Sequence, residues 1–223
     1  MTSGAPPLFD VGQLRSRTSP ALATPVVKGP TVVLGSTQAA DDLDARALEL
    51  AGAVVRRRRG GGGAVLLRPG DVWIEWWLPT GCREAISDLR ATAYLVGSWW
   101  LEALSALGVA AELHRGDVRD PDQGAIACFA GLGPGELTVG GHKLVGVSQW
   151  RTRNGALVST VACERSPATV REYLAGGPDL PSLDRTTSLH QLDVGSAPTV
   201  LELVVGAATS SVGTFERFTD TIG

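Results

Sequence analysis

The feature that most constrains the fold is a run of four arginines that leads directly into four glycines, with apolar residues on both sides (residues 54–67). Consecutive glycines lose much backbone entropy on folding and pack no side chains, so they interrupt helices and strands alike. The run is therefore predicted to connect two strands. Such a connection is either a flexible hairpin loop or a place where backbone amides approach an anionic ligand that any side chain would block.

Length and composition exclude several classes of protein. The 223 residues suit one domain, and the 43% of apolar residues can form a sizeable core. No apolar stretch reaches about 18 residues and the first ten residues do not resemble a secretory signal, so no membrane association is expected. The net charge of −3 is not that of a general nucleic-acid binder. Three widely spaced cysteines, Cys82, Cys128 and Cys163, argue against disulfides or a metal site and favour the cytoplasm.

The order of the predicted elements indicates an α+β fold. Residues 1–30 are rich in Pro, Ser, Thr and Ala and are predicted to be an irregular lead-in, followed by a single domain over residues 31–223. Helices are predicted near residues 40–52, 84–107 and 199–208. Short β-rich runs separated by turn glycines predict antiparallel strands between them. The expected architecture is a central, mostly antiparallel mixed sheet flanked by helices.

Two residues in the predicted sheet region are candidates for a catalytic or binding role, and each allows two interpretations. Lys143 follows two glycines at the start of a predicted strand. It is either an ordinary surface lysine or a point charge for an anionic group. Cys128 lies between Ala127 and Phe129, where a buried and inert thiol is the commoner outcome. A partly exposed sulfur near an ammonium group would instead be a nucleophile.

Residues 56–65, 127–129 and 136–151, taken in this order, resemble the motifs of the lipoate–protein ligase A and octanoyltransferase family. This family shares its catalytic-domain fold with biotin–protein ligase, and the resemblance covers about residues 31–206. It implies a glycine loop around an acyl or acyl-adenylate ligand and a lysine that contacts the acyl carbonyl or a phosphate. The implied catalytic residues are Lys143 and Cys128, and the implied substrate-binding residues are Arg58, Gly60, Gly61, Gly62, Gly63, Ala64, Gly146, Ser148 and Gln149.

The Cys-Phe pair before the lysine strand is similar to that of octanoyltransferases in which the cysteine carries the acyl group. The resemblance therefore implies transfer of an octanoyl or lipoyl group to a lysine of a lipoyl carrier domain through a Cys128 thioester, with no tightly bound cofactor. The implied acceptors are the lipoyl domain of a 2-oxoacid dehydrogenase or the glycine cleavage H protein. The implied donors are octanoyl-acyl carrier protein or lipoate.

Two alternatives stay open at this point. The first is an ATP-dependent lipoate–protein ligase that acts through lipoyl-AMP and uses ATP and Mg²⁺. The second is a non-catalytic acyl-binding protein of the same fold. It is suggested by histidines that members of the family carry after the glycine loop and after the lysine strand, where this chain has residues 66–68 and 159–161 without histidine.

Overall fold

A seven-stranded sheet forms the centre of the computed structural model, which describes Leu8, Gly12 and residues 16–82, 88–176 and 180–222. The strands are β1 (Ala21–Val27), β2 (Thr31–Leu34), β3 (Val54–Arg57), β4 (Val65–Leu67), β5 (Val72–Pro79), β6 (Ala111–Leu113), β7 (Leu137–Val139), β8 (His142–Thr152), β9 (Gly155–Ala162) and β10 (Glu216–Ile222). The α-helices are α1 (Ala45–Ala51), α2 (Leu89–Ala106), α3 (Pro121–Ile126) and α4 (Ala197–Val212). Short 3₁₀ helices cover Ala40–Asp42, Cys128–Ala130, Pro167–Tyr173 and His190–Leu192.

The large sheet has the strand order β10-β1-β5-β9-β8-β7-β6, and its strands are antiparallel except for the β1–β10 pair. In the small sheet, β2 lies between a parallel β3 and an antiparallel β4. The prediction of an α+β fold with a mostly antiparallel mixed sheet and flanking helices is confirmed. None of the helices in the described part of the chain combines the length and apolar character that a bilayer span requires.

The main core lies between the large sheet and the helices α2 and α4. All eight residues of β5 are buried, because alternate side chains point to opposite faces and both faces are covered. Trp76 packs towards the helices, where its ring centroid lies 5.0 Å from that of Trp99 and 5.4 Å from that of Phe215. Trp77 packs on the opposite face against Leu157. The tryptophans of β5 and α2 therefore belong to the core.

A second core joins the small sheet to the segment that carries Cys128. The N–H of Ala64 donates to the carbonyl of Ile126 at 2.9 Å, and the N–H of Cys128 donates to the carbonyl of Ala64 at 3.0 Å. Ala64 and Ala127 thus form a parallel bridge between β4 and the end of α3. This bridge holds Cys128 next to the glycine loop, residues 60–63.

The prediction of an irregular lead-in over residues 1–30 is wrong for residues 21–27, which form β1 inside the large sheet. Small residues and Pro25 weaken the sequence signal for this strand. Proline is tolerated there because the pairing of β1 with β5 ends at Ala23. Strand β10, which pairs with β1, was not predicted either.

The helix boundaries also differ from the predicted ones. The long helix begins at Leu89, where Asp88 caps the N-terminus by accepting a hydrogen bond from the N–H of Ala91. Residues 84–87, the start of the predicted helix, lie outside the described residues. The last helix is longer than the predicted 199–208, because Ser196 caps it and it continues to Val212.

Candidate active site

A pocket of about 580 Å³ opens between the glycine loop, the first turn of α2, the segment around α3 and Cys128, and strand β8. This volume is in the usual range for a small-molecule site. Apolar side chains form much of its wall, namely Leu89, Ala93, Val118, Leu132 and Val147. The polar side chains at the wall are Arg90, Cys128, Glu136, Lys143, Ser148 and Gln149.

Three glycines of the loop have structural reasons to be glycine, and the fourth faces open space. A Cβ at Gly60 would lie 2.0 Å from Ser148 Oγ, and one at Gly63 would lie 2.4 Å from the backbone of Ala127. Gly62 has a φ of +88°, a region that favours glycine. A Cβ at Gly61 would meet nothing within 4 Å, and Gly61 and Gly62 line the pocket. The run therefore combines close backbone packing with an open approach to the pocket.

The loop also offers backbone donors. The N–H groups of Gly63 and Ala64 donate to the carbonyls of Gly124 and Ile126. In the part of the chain that the structure describes, the N–H groups of Gly61 and Gly62 have no protein acceptor. Unpaired amides at the wall of a pocket can bind a carbonyl oxygen or an anion that enters it.

Arg58 lies behind the loop and does not line the pocket. It is 3% exposed, and its Nη2 donates to the carbonyl oxygens of Gly61 at 2.7 Å and Gly63 at 2.8 Å. Its Nη1 donates to the carbonyl of Val33 at 3.3 Å. The guanidinium group therefore fixes the shape of the loop and ties it to β2, and burial lowers the pKa of Arg58.

The other arginines of the run do not line the pocket either. Arg57 Nη1 donates to the carbonyls of Gly35 and Gln38, each at 2.7 Å. The guanidinium of the exposed Arg59 lies 5.6 Å from the ring centroid of Trp150. Since strand residues alternate in direction, the run does not present four charges to one ligand.

Cys128 is partly exposed and lines the pocket. A Cβ at Gly146 would lie 3.6 Å from Cys128 Sγ and 3.7 Å from Lys143 Cε. The sulfur and the lysine side chain therefore meet over the bare backbone of Gly146 on β8. Cys163 differs, because it is buried and burial raises the pKa of its thiol well above the ordinary value.

Lys143 is almost fully buried, and its ammonium group has three acceptors. Nζ donates to the carbonyl oxygens of Cys128 at 2.7 Å and Gly131 at 2.9 Å, and it lies 2.6 Å from Glu136 Oε2. The side chains of Lys143 and Glu136 are only 4% and 5% exposed. The ion pair is further fixed because Glu136 accepts from the N–H groups of Gly133 and Val147.

Ser148 and Gln149 connect β8 to the other walls of the pocket. Ser148 Oγ donates to the carbonyl of Gly61 at 3.0 Å, and Gln149 Nε2 donates to the carbonyl of Leu89 at 2.8 Å. The first bond holds the glycine loop against β8, and the second holds the start of α2. Gln149 Oε1 is buried and has no partner among the described residues.

Comparisons with known proteins identify the family and the fold. Residues 12–191 match the family model described as the lipoyl protein ligase A/B catalytic domain. The chain belongs to this family. Its members attach lipoyl or octanoyl groups to proteins, so the chain is an acyltransferase or ligase of this kind. No curated protein sequence matches the chain significantly.

Solved structures show the same fold at low sequence identity. A putative lipoate protein ligase of Thermoplasma acidophilum with bound lipoic acid has a TM-score of 0.72 at 17% identity, with 96% of this chain and 82% of that chain covered. A lipoate-protein ligase A bound with ATP has a TM-score of 0.71 at 17% identity, covering 92% and 77%. A bipartite lipoate protein ligase from Thermoplasma acidophilum, whose description includes its E2 lipoyl domain, has a TM-score of 0.73 at 17% identity, covering 96% and 80%.

The structure brings most of the residues implied by the family motifs to one place. The lining residues among them are Gly61, Gly62, Cys128, Lys143, Ser148 and Gln149. The remaining ones, Arg58, Gly60, Gly63, Ala64 and Gly146, stand behind the wall and shape it.

Sequence reasoning missed Glu136, which follows the turn Gly133–Gly135 and precedes β7. It is the single carboxylate among the lining residues that the structure describes. The available signal was a lone acidic residue beside an apolar strand that forms a hairpin with the strand of Lys143. Both Glu136 oxygens already accept protein hydrogen bonds, and the described residues contain no group of three or more potential metal-binding side chains. These side chains therefore do not fit a Mg²⁺ site of their own, although Mg²⁺ is often held largely by substrate phosphates.

Proposed function

We propose that this family member transfers an octanoyl or lipoyl group to a lysine of a lipoyl carrier domain through a thioester on Cys128. The observation that supports the proposal is that the partly exposed Cys128 lines one pocket together with Lys143, Gly61 and Gly62. Octanoyl-acyl carrier protein would be the donor. The acceptor would be the lipoyl domain of a 2-oxoacid dehydrogenase or the glycine cleavage H protein, in the cytoplasm, where thiols stay reduced.

The reaction has two acyl-transfer steps. In the first, the Cys128 thiolate attacks the carbonyl carbon of the donor thioester and forms a new carbon–sulfur bond. The old bond breaks, and the carrier thiol leaves with the proton that Cys128 gave up. In the second, the unprotonated amine of the acceptor lysine attacks the Cys128 thioester. An amide forms, the carbon–sulfur bond breaks, and the amine proton returns to the cysteine.

The pocket supplies what these steps require. Each methylene of the acyl chain that is buried against the apolar wall contributes about 0.8 kcal/mol. The negative charge that develops on the carbonyl oxygen would be stabilised by the unpaired N–H groups of Gly61 and Gly62. Lys143 could add a hydrogen bond by exchanging the neutral carbonyl of Gly131 for the substrate oxygen.

An ATP-dependent lipoate–protein ligase is the second candidate. It is supported by the fold, which is shared with a ligase structure bound to lipoic acid and with another bound to ATP. In this case lipoate and ATP with Mg²⁺ would give lipoyl-AMP and pyrophosphate, and the acceptor lysine would then displace AMP. Acyl transfer would require no thiol.

Intact-mass spectrometry separates the candidates. The protein is mixed with octanoyl-acyl carrier protein, or with lipoate, ATP and Mg²⁺, in the presence and absence of a lipoyl domain. The transferase predicts an acyl group on the protein that is lost on adding the lipoyl domain. It also predicts that Cys128→Ala abolishes this adduct whereas Cys163→Ala keeps it. ATP-dependent modification that survives Cys128→Ala would refute the transferase, and no modification under either condition would leave only an acyl-binding protein.

A further inference from the structure

The described part of the chain buries equal numbers of cationic and anionic side chains. The charged residues that the structure buries are two cations and two anions, Arg58, Glu75, Glu136 and Lys143. Lys143 and Glu136 form a direct ion pair of 2.6 Å. Burial lowers the pKa of Arg58 and raises the pKa of Glu75, and the opposite charge of each residue counters the shift of the other. Glu75 also accepts from Ser159 Oγ and Trp73 Nε1. A carboxylate ligand would be favoured by a buried cation without a partner anion, but Lys143, the buried cation at the pocket wall, already has Glu136 as its partner.

The pocket wall itself carries no uncompensated charge either. Its charged side chains are Arg90, Glu136 and Lys143. Arg90 pairs with Asp117 at 2.6 Å, and both residues are exposed. Exposed Arg119, Asp120 and Arg185 line a separate narrow opening of about 40 Å³ that Lys143 also lines, where solvent screens their charges.

Resting on the proposed function, we propose that Glu136 is a specificity-determining residue: by cancelling the charge of Lys143, it makes the pocket accept an acyl thioester, which carries no charge at its carbonyl, and disfavour the carboxylate of a free fatty acid. A ligand carboxylate that contacts the Lys143 ammonium group would also lie near the Glu136 carboxylate. It would also have to replace an acceptor that Lys143 already has. A neutral carbonyl oxygen makes the same exchange without repulsion from Glu136.

Two probes that differ only in charge test this inference. Octanoate carries a carboxylate, and octanamide is its neutral counterpart of nearly the same shape. Calorimetry is expected to show that the wild-type protein binds octanamide more tightly than octanoate. Glu136→Gln removes the opposing charge, so it is expected to tighten octanoate binding by about tenfold, as expected for one charge at close range in a partly buried site, and to leave octanamide binding unchanged. The matched control Glu112→Gln removes the same charge from an exposed position on β6 and is expected to change neither affinity.

The possible results are distinguishable. A wild-type preference for octanoate over octanamide would overturn the inference, and this comparison holds even if Glu136→Gln does not fold. A Glu136→Gln variant that weakens both probes alike would also overturn it, since that is the effect of a purely structural residue. Either result would leave the acyl-transfer proposal standing if Cys128 is still acylated. Failure of the wild-type protein to bind either probe would refute both.

Discussion

Replacing a glycine of the loop with alanine is expected to have opposite effects on stability at Gly61 and at Gly63. In Gly63→Ala the new methyl would lie 2.4 Å from the N of Ala127 and the carbonyl carbon of Ile126, which are backbone atoms that no rotamer can move. In Gly61→Ala it would meet nothing within 4 Å. We therefore expect Gly63→Ala to destabilise the protein and Gly61→Ala to leave its stability unchanged or slightly raised.

The magnitude follows from what the methyl displaces. Overpacking a well-packed site typically destabilises by about 1–3 kcal/mol. At Gly63 the displaced segment is also held to the loop by two hydrogen bonds of 2.7 and 2.9 Å, from the N–H groups of Gly63 and Ala64. For a chain of this size, about 1–3 kcal/mol corresponds to a fall in Tm of roughly 2–12 °C. Replacing a glycine with alanine at an unstrained position instead stabilises by about 0.4–1 kcal/mol through the unfolded chain.

Thermal unfolding followed by circular dichroism measures the stability of each variant, and the rate of Cys128 acylation measures the activity of the site. Gly61→Ala is expected to slow acylation at unchanged stability, because its methyl enters the pocket beside the unpaired amides. Gly63→Ala is expected to lower both stability and acylation, because the strained segment carries Cys128. Equal destabilisation by the two variants would contradict the conclusion that Gly63 is required for packing whereas Gly61 only leaves room for a ligand.

Three further predictions concern buried charged groups. Lys143→Met leaves Glu136 buried without its partner and is expected to destabilise by about 3–5 kcal/mol in urea unfolding; Lys143→Met with Glu136→Gln should recover most of that loss, and an equally unstable double variant would contradict this. Arg58→Lys cannot donate to Gly61, Gly63 and Val33 together, so it should lower Tm and slow acylation, and unchanged acylation would show that the guanidinium does not shape the loop. Burial raises the pKa of Asp71 from 3.8 to about 6, so the protonated form is favoured in the folded chain. The stability of the wild type relative to Asp71→Asn should therefore fall as the pH rises from about 3.8 to about 6. A stability difference that does not depend on pH would refute this prediction.

The glycine loop shows how far the sequence alone could predict this site. Its four glycines indicate close backbone approach, and the order of the motifs in the sequence links the loop to Cys128 and Lys143. The sequence could not predict which of these glycines are required for packing and which face the pocket. The atoms that exclude a Cβ at Gly60 and Gly63 belong to Ser148 and Ala127, which are more than 60 residues away in the sequence. For the same reason β1 and β10 escaped prediction, since a parallel pair of distant segments leaves no local turn signal.

Arg58 illustrates a second limit, because a residue type does not reveal where its charge is directed. An arginine next to a glycine loop is typical of an anion site, yet here each end of the guanidinium donates to backbone carbonyls. The polar side chains at the pocket wall are engaged in the same way. Lys143, Ser148, Gln149 and Arg90 all donate to protein acceptors in the described structure.

This engagement has a consequence for catalysis. The side-chain donors at the wall already have partners, whereas the N–H groups of Gly61 and Gly62, for which the described residues provide no acceptor, can bind a ligand without first giving up a protein hydrogen bond. Donors that are fixed before reaction stabilise developing charge without reorganisation, whereas Lys143 must first give up an acceptor. On the proposed function, we therefore expect the loop backbone to stabilise the oxyanion first, and Lys143 in its ion pair with Glu136 to hold Cys128 and Gly131 in place through their carbonyls before it exchanges the carbonyl of Gly131 for the substrate oxygen. On this reasoning Lys143→Arg, which keeps the charge but not the compact ammonium geometry, should impair acylation of Cys128 through a displaced Cys128 backbone. Acylation that proceeds at the wild-type rate in Lys143→Arg would show that the charge alone is what the site requires.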